Sequence, residues 1–212
     1  MNKILSLYTD GGVMLKNPST HGGTWAYCLA GGEADTEVYG LASGVVTPAM
    51  IGLPTVTNNF TELYAAVMGL TALPNAWSGK IYTDSRVTQL RLIGALPKQA
   101  PVKMNGIPDW LEKLLKAQVD YRGLSYQVVL LDGHPTRKHL SEGVSEVGLP
   151  VHANNVLCDK LCGEQSARWL KGRNLEEVTI EGPSVIITDS MIDNLLNHPV
   201  NLPDAALEDD HV

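Results

Sequence analysis

Four carboxylates fall at the boundaries of predicted secondary-structure elements. Asp10 follows the apolar run KILSLY, and Asp84 follows the predicted strand KIYT. Glu62 and Asp159 lie near the starts of two predicted helices. Carboxylate oxygens are ligands that Mg²⁺ prefers, and two such ions about 4 Å apart can assist phosphodiester hydrolysis. If the four side chains meet, the pattern predicts a divalent-cation site, because bare carboxylates would repel one another.

Each acid also has a purely structural interpretation. Asp10 and Asp84 are common turn residues, and Glu62 stands three residues after Asn59, as in a helix capping box. Asp159 fits a solvated helix surface. The joint position of the four acids at element ends is what favours the metal-binding interpretation.

Hydrophobic periodicity predicts the elements that must position these acids. The predicted strands cover 3–9, 24–30, 36–42, 80–83 and 126–131, and the predicted helices cover 57–73, 85–96, 108–118 and 153–170. Asn58 or Asn59 is the expected N-cap of the first helix. The order βββαβααβα predicts an α/β fold with a mixed sheet flanked by helices.

Length and composition restrict the class of protein. The chain has 212 residues and a net charge of −7, so its overall charge does not attract it to nucleic acid. No stretch approaches the roughly 20 apolar residues of a membrane helix, and the first residues do not resemble an export signal. We expect a cytoplasmic protein with a main domain over 1–170. A C-terminal extension follows over 171–212, and we expect its acidic end to be disordered.

Three cysteines, Cys28, Cys158 and Cys162, suit free thiols in a reducing compartment. The spacing of the last two would also allow them to hold a metal. Because no second Cys/His pair has zinc-site spacing, a packed helix face is the favoured interpretation.

The chain resembles the type 1 ribonuclease H family in a series of sequence blocks. The blocks are YTDGG with KNP, GGTWAYCL, VTNNFTELYAAVMGL, IYTDS, VVLLDGH and HANNVLCDKLC, in the order that the family has them. The resemblance covers residues 4 to about 170. It implies the ribonuclease H-like fold, with a five-stranded mixed sheet of strand order 3-2-1-4-5. The implied activity is Mg²⁺-dependent endonucleolytic cleavage of the RNA strand of RNA/DNA hybrids.

The resemblance implies a catalytic role for each matching acid. Asp10 would bridge two Mg²⁺ ions, with Glu62 and Asp84 on one ion and Asp159 on the other. Mn²⁺ is the expected substitute. His134, in the DGH block, would assist proton transfer or product release.

The resemblance also implies contacts with the hybrid. Polar groups near the 2′-hydroxyl are needed to distinguish RNA from DNA. Thr57 matches a position that holds a phosphate of the DNA strand, and the asparagines match minor-groove contacts. The alternative interpretation of the asparagines is that they form turns and helix caps. The expected substrate contacts are Asn17, Thr57, Asn58 and Asn59.

An insertion over 135–151 departs from the family pattern, in which a short loop follows the histidine. An insertion of this size would suit a mobile flap over the metals. His139 and His152 are the alternatives to His134 for the catalytic role. The possible hinges of the flap are Gly143 and Gly148.

A second departure is 94–107, which replaces the basic, tryptophan-bearing handle with which some members hold substrate. Its only charges are Lys98 and Lys103. We therefore expect weaker and salt-sensitive binding, or a dependence on Arg137 and Lys138 in the insertion.

Phe60 and Arg86 stand where members often carry Arg and Gln, which changes the expected contacts with phosphate.

Three hypotheses follow. The favoured one is a monomeric ribonuclease H that binds RNA/DNA hybrids. The second keeps the fold but changes the substrate to junction or single-stranded DNA. The third is a non-catalytic module that binds hybrids or proteins.

Overall fold

A five-stranded sheet forms the centre of the chain in this computed structural model, which describes residues 5–99 and 107–172. The strands are β1 (Ser6–Val13), β2 (Gly23–Gly31), β3 (Glu37–Val46), β4 (Ser78–Thr83) and β5 (Ser125–Leu130). Their order in the sheet is β3-β2-β1-β4-β5. The β1–β2 and β2–β3 pairs are antiparallel, and the β1–β4 and β4–β5 pairs are parallel. The predicted mixed sheet and its strand order are confirmed.

Six α-helices accompany the sheet in the described part of the chain. They are α1 (Pro48–Ile51), α2 (Asn58–Thr71), α3 (Arg86–Ala95), α4 (Asp109–Arg122), α5 (Arg137–Glu142) and α6 (Ala153–Lys171). The four predicted helices correspond to α2, α3, α4 and α6. Helices α1 and α5 were not predicted, because four and six residues are too few to show a helical period.

The sheet separates two apolar layers, because successive side chains of a strand point to opposite faces. Leu7 of β1 belongs to the larger core, which α2, α3 and α4 fill with residues such as Leu63 and Leu92. Tyr8, the next residue, belongs to the smaller core, where α6 contributes Cys158 and Cys162. The α6 side of the sheet is therefore also the side that Asp10 shares with Tyr8.

The three cysteines are buried free thiols, as predicted. The Cys158 Sγ lies 3.7 Å from the Tyr8 carbonyl oxygen, and the Cys162 Sγ lies 3.5 Å from that of Asp10. Both thiols thus pack α6 against β1, which agrees with the packed helix face.

Helix α2 begins differently from the prediction. Its N-cap is Thr57, whose side-chain oxygen accepts a hydrogen bond from the Phe60 backbone N–H at 3.2 Å. The predicted caps, Asn58 and Asn59, are instead the first two helical residues. Because a capping box pairs the N-cap with the third helical residue, Glu62 lies too far along the helix to complete one.

Several predictions fall outside the described residues. These include Lys103 in the handle segment and the extension from residue 173 onward. The domain boundary near residue 170 stays a prediction, although α6 ends at Lys171. Within the described ranges, no helix has the length and apolar character needed to cross a membrane. The cytoplasmic location also stays a prediction.

Candidate active site

Asp10 and Asp84 lie side by side because of the register between β1 and β4. The parallel ladder stops at the pair Tyr8 and Tyr82, whose rings stack with their centroids 4.5 Å apart. Each aspartate comes two residues after its tyrosine and so lies at the same level of the sheet, on the same face. The prediction that the first strand ends at Asp10 was wrong, since β1 continues to Val13 as the partner of β2.

Glu62 reaches the two aspartates because α2 lies directly on β1. At Gly11, an added Cβ would come closer than 3.0 Å to the backbone of Thr61 and of Glu62. Only a residue without a side chain permits this approach. Gly11 therefore determines how near the N-terminal part of α2 comes to Asp10.

Asp10, Glu62 and Asp84 form a compact acidic cluster. One carboxylate oxygen from each lies within 4.8 Å of the others. Asp10 and Glu62 are only 6% and 5% exposed. The Oε2 atom of Glu62 is buried and has no hydrogen-bond partner among the described residues. A buried carboxylate oxygen of this kind needs a partner, so the three residues fit a divalent cation.

Burial and mutual repulsion favour the protonated forms of this cluster. Burial, followed by the charges of Asp84 and Asp159, raises the pKa of Asp10 to about 7. Burial is also the main cause that raises the pKa of Glu62, with Asp10 and Asp84 adding to it. Burial also raises the pKa of Asp84, while the Asn155 amide and the His134 charge act in the opposite direction. A bound cation would remove this penalty.

Asp159 lies apart from the other three acids. It is an exposed residue of α6 and does not belong to the 4.8 Å group. Its charge nevertheless raises the pKa of both Asp10 and Asp84, so it faces the same site. The structure thus brings three of the four expected acids together and leaves the fourth at the rim.

Asn155 was not singled out from the sequence, although it lies beside Asp84. Its side chain is 1% exposed, and its amide lowers the pKa of Asp84. Asn155 precedes Asp159 by four residues, so both lie on one face of α6. That spacing within the HANN block is the signal that could have identified it.

The three candidate histidines have different surroundings. His134 is exposed in the turn after β5, and its charge lowers the pKa of Asp84. His139 completes a capping box at the start of α5. His152 is the N-cap of α6 and stacks on Tyr8 with ring centroids 4.6 Å apart. Of the three, His134 is the one whose charge acts on an acid of the cluster.

The inserted segment is folded in the structure. It contains α5, which Gly143 ends with a φ of 73°, and an antiparallel bridge between Val144 and Pro150. Gly148 has a φ of 78° in the turn between the bridged residues. Both expected hinge glycines therefore form turns, and the movement of this segment as a flap stays a prediction.

The expected substrate contacts gather at the start of α2. The Asn17 Oδ1 accepts a hydrogen bond from the Asn58 backbone N–H at 3.2 Å. Backbone hydrogen bonds between Ser19 and Val56, both 2.8 Å, fasten the preceding loop to the same place. Thr57, Asn58 and Asn59 are close to Glu62 in the chain, and these hydrogen bonds bring Asn17 to the same place.

The two departing substrate positions differ in exposure. Phe60 is fully buried and packs against the rings of Tyr64 and Trp110. Arg86 is exposed and donates a hydrogen bond to the Gln89 side chain. Position 60 therefore belongs to the core in this chain and offers no contact to a phosphate.

Fold and site together define the class of protein. The sheet order and the flanking helices are those of the ribonuclease H-like fold. The chain superimposes on the RNase H domain of PFV, a foamy virus, with a TM-score of 0.53 and 18% identity. That comparison covers 79% of this chain and 97% of the viral domain.

Sequence relatives point to the same group. The chain is 41% identical over 83 residues to a ribonuclease H of Campylobacter concisus and 30% identical over 114 residues to one of Hahella chejuensis. These matches cover 39% and 54% of this chain, and 48% and 57% of the relatives, or about half of their length. No protein-family model matches the chain. These likenesses agree with the ribonuclease H-like fold of the chain.

Proposed function

We propose that this chain is a type 1 ribonuclease H, an endonuclease that hydrolyses the RNA strand of RNA/DNA hybrids with Mg²⁺. The observation that carries the proposal is the buried cluster of Asp10, Glu62 and Asp84, in a fold whose sequence relatives are named Ribonuclease H. An acidic chain with a net charge of −7 needs such a site to receive a polyanion.

In this proposal, the three clustered acids would hold one ion, and Asp10 with Asp159 would hold a second. Bound ions would lower the pKa of the attacking water and stabilise the leaving oxygen. The Asn155 amide opposes the rise in the pKa of Asp84 that burial causes. His134, exposed beside Asp84, carries a proton to or from the reacting phosphate oxygen.

Recognition of the RNA strand belongs to the start of α2 and the loop tied to it. The amides of Asn17, Asn58 and Asn59 can donate to and accept from a 2′-hydroxyl, which DNA lacks. The hydrogen bond between the Asn58 backbone N–H and the Asn17 side chain fixes the loop relative to the helix. Thr57 would contact a phosphate of the DNA strand.

Incubation with a labelled RNA/DNA hybrid tests the proposal. With Mg²⁺, the protein should cut the RNA strand alone, and a chelator should stop the reaction. The substitution Asp10→Asn should lower the rate at least about 100-fold, because it removes a ligand from the cluster. Asp120→Asn, an exposed acid of α4, is the matched control and should leave the rate unchanged. Cleavage that persists in the chelator would contradict the proposal.

A second candidate is the same metal chemistry on junction or single-stranded DNA. The burial of Phe60, which removes one expected phosphate contact, favours this alternative. A panel of hybrid, duplex, junction and single-stranded substrates separates the two. A non-catalytic module, the third hypothesis, would bind hybrid but show no divalent-cation binding at millimolar Mg²⁺.

A further inference from the structure

The chain passes close to Asp84 of the acidic cluster as it leaves β5. The backbone at Gly133 is so close to Asp84 that an added Cβ would come within 3.0 Å of the carboxylate. The next residue, His134, lowers the pKa of Asp84 through its charge. Helix α5 begins at Arg137, only four residues after Gly133.

Hydrogen bonds hold α5 in place beside this crossing. The Thr136 side chain accepts from the His139 backbone N–H at 3.2 Å, and the His139 ring accepts from the Thr136 backbone N–H at 3.3 Å. At the base of the insertion, the Asp132 N–H donates to the Pro150 carbonyl at 3.0 Å. The first two bonds order the first turn of α5, and the third closes the base of the insertion at the end of β5.

That first turn carries two exposed cations, Arg137 and Lys138. The Lys138 side chain is 75% exposed, and its ammonium lies 3.9 Å from Glu142. Such a surface pair contributes little energy, so Lys138 remains available to another anion. Four residues span at most about 14 Å, which limits how far Arg137 can lie from Gly133. Successive nucleotides rise by about 3.4 Å along a strand, so this range covers the phosphates nearest the cleaved bond.

Because the chain is acidic, it needs local positive charges to bind the phosphates of a nucleic acid. The net charge is −7, and three acids occupy the site itself. In the described part of the handle segment, Lys98 is the sole charged side chain. We propose that Arg137 and Lys138 bind backbone phosphates of the hybrid beside the cleavage site. This inference rests on the proposed function, and it makes the insertion a substrate-holding element.

The test compares steady-state cleavage of a labelled RNA/DNA hybrid in Mg²⁺ at several salt concentrations. Arg137→Ala combined with Lys138→Ala should raise KM about 5- to 30-fold near 0.15 M salt and change kcat less than twofold. The plot of log(kcat/KM) against log[salt] should become less steep by about 1 to 2, because each lost phosphate contact removes about one unit of slope. Glu142→Gln should lower KM, since it removes a competitor for Lys138.

Two matched variants make the outcome decisive. Lys113→Ala with Lys171→Ala removes the same charge from exposed sites on α4 and at the end of α6, and should leave KM and slope nearly unchanged. Arg137→Lys with Lys138→Arg keeps the charge and should restore most of the affinity. If the alanine pair and the control pair behave alike, the inference is wrong while the proposed function stands. If the wild-type protein fails to cut the hybrid, both are overturned.

Discussion

At the scale of single residues, the acidic cluster destabilises the folded chain when no cation is bound. Three carboxylates within 4.8 Å, two of them almost fully buried, favour protonation over ionisation. The pKa of Asp10 rises from 3.8 to about 7 for this reason. The folded state therefore binds more protons than the unfolded state between these values. Stability without metal is greatest below pH 3.8 for this group, and it is lost as the pH rises toward 7.

Asp10→Asn should therefore stabilise the metal-free protein at pH 8, by an amount on the order of 2 kcal/mol, because an uncharged amide no longer repels Glu62 and Asp84. The difference from wild type should shrink at pH 4, where the native cluster is already protonated. Thermal unfolding in a chelator at both pH values measures it. Glu146→Gln, a substitution of a highly exposed acid, is the control. A variant that is less stable than wild type at pH 8 would contradict this electrostatic account.

The sequence predicted the acids at this scale better than their surroundings. Asp10, Glu62 and Asp84 were identifiable because strand ends and helix starts limit where a side chain can lie. The more distant position of Asp159 was not, because it depends on how α6 packs through Cys158 and Cys162. The cap of α2 was assigned to an asparagine instead of Thr57, since all three residues are good N-caps.

At the scale of elements, the contact between α2 and β1 builds the site. Gly11 allows the helix to touch the strand, and the register of β1 with β4 places Asp84 beside Asp10. The sequence TDGG indicated a turn because Asp and Gly are poor strand residues. Pairing with β2 overrides that preference and continues as far as Val13. The strand therefore ends three residues after Asp10.

Gly11→Ala should push α2 away from β1 and destabilise the fold by about 1–3 kcal/mol, because the new methyl group overlaps the backbone of Thr61 and Glu62. The same displacement should weaken Mg²⁺ binding at least about tenfold. Denaturant unfolding and isothermal titration with Mg²⁺ measure the two effects.

Gly163→Ala provides the matched control for this substitution. Gly163 lies on the exposed side of α6 with no atom within 4 Å of an added Cβ. Alanine should therefore leave Mg²⁺ binding intact and stabilise α6 by up to about 1 kcal/mol. Equal Mg²⁺ affinities for the Gly11 and Gly163 variants would show that the close approach of α2 is not needed.

At the scale of the whole molecule, the described elements already contain every proposed catalytic residue. The sheet, its helices and the acids lie between residues 5 and 172. The change in sequence character near residue 171 predicts this division, which stays a prediction because the residues beyond 172 are not described. The content of the insertion was not predictable, because α5 is short and held by a capping box rather than by an apolar stripe.

A chain that ends at residue 172 should therefore retain cleavage of the RNA/DNA hybrid. We expect kcat within about threefold of the full chain, because no proposed ligand or substrate contact is removed. The full-length chain assayed in parallel is the reference, and circular dichroism checks that the shorter chain is folded. Loss of cleavage from a folded truncated chain would assign the extension to the working domain.

The acids of the cluster come from β1, from the N-terminal part of α2 and from the turn after β4, so no short stretch of the chain carries the site. A collapsed chain that has not yet aligned β4 with β1 cannot gather all three ligands. The amount of tightly bound cation therefore measures the fraction of correctly folded molecules, even for a variant that no longer cuts any substrate. By mass action, a high cation concentration should also rescue marginally folded variants of distant core positions.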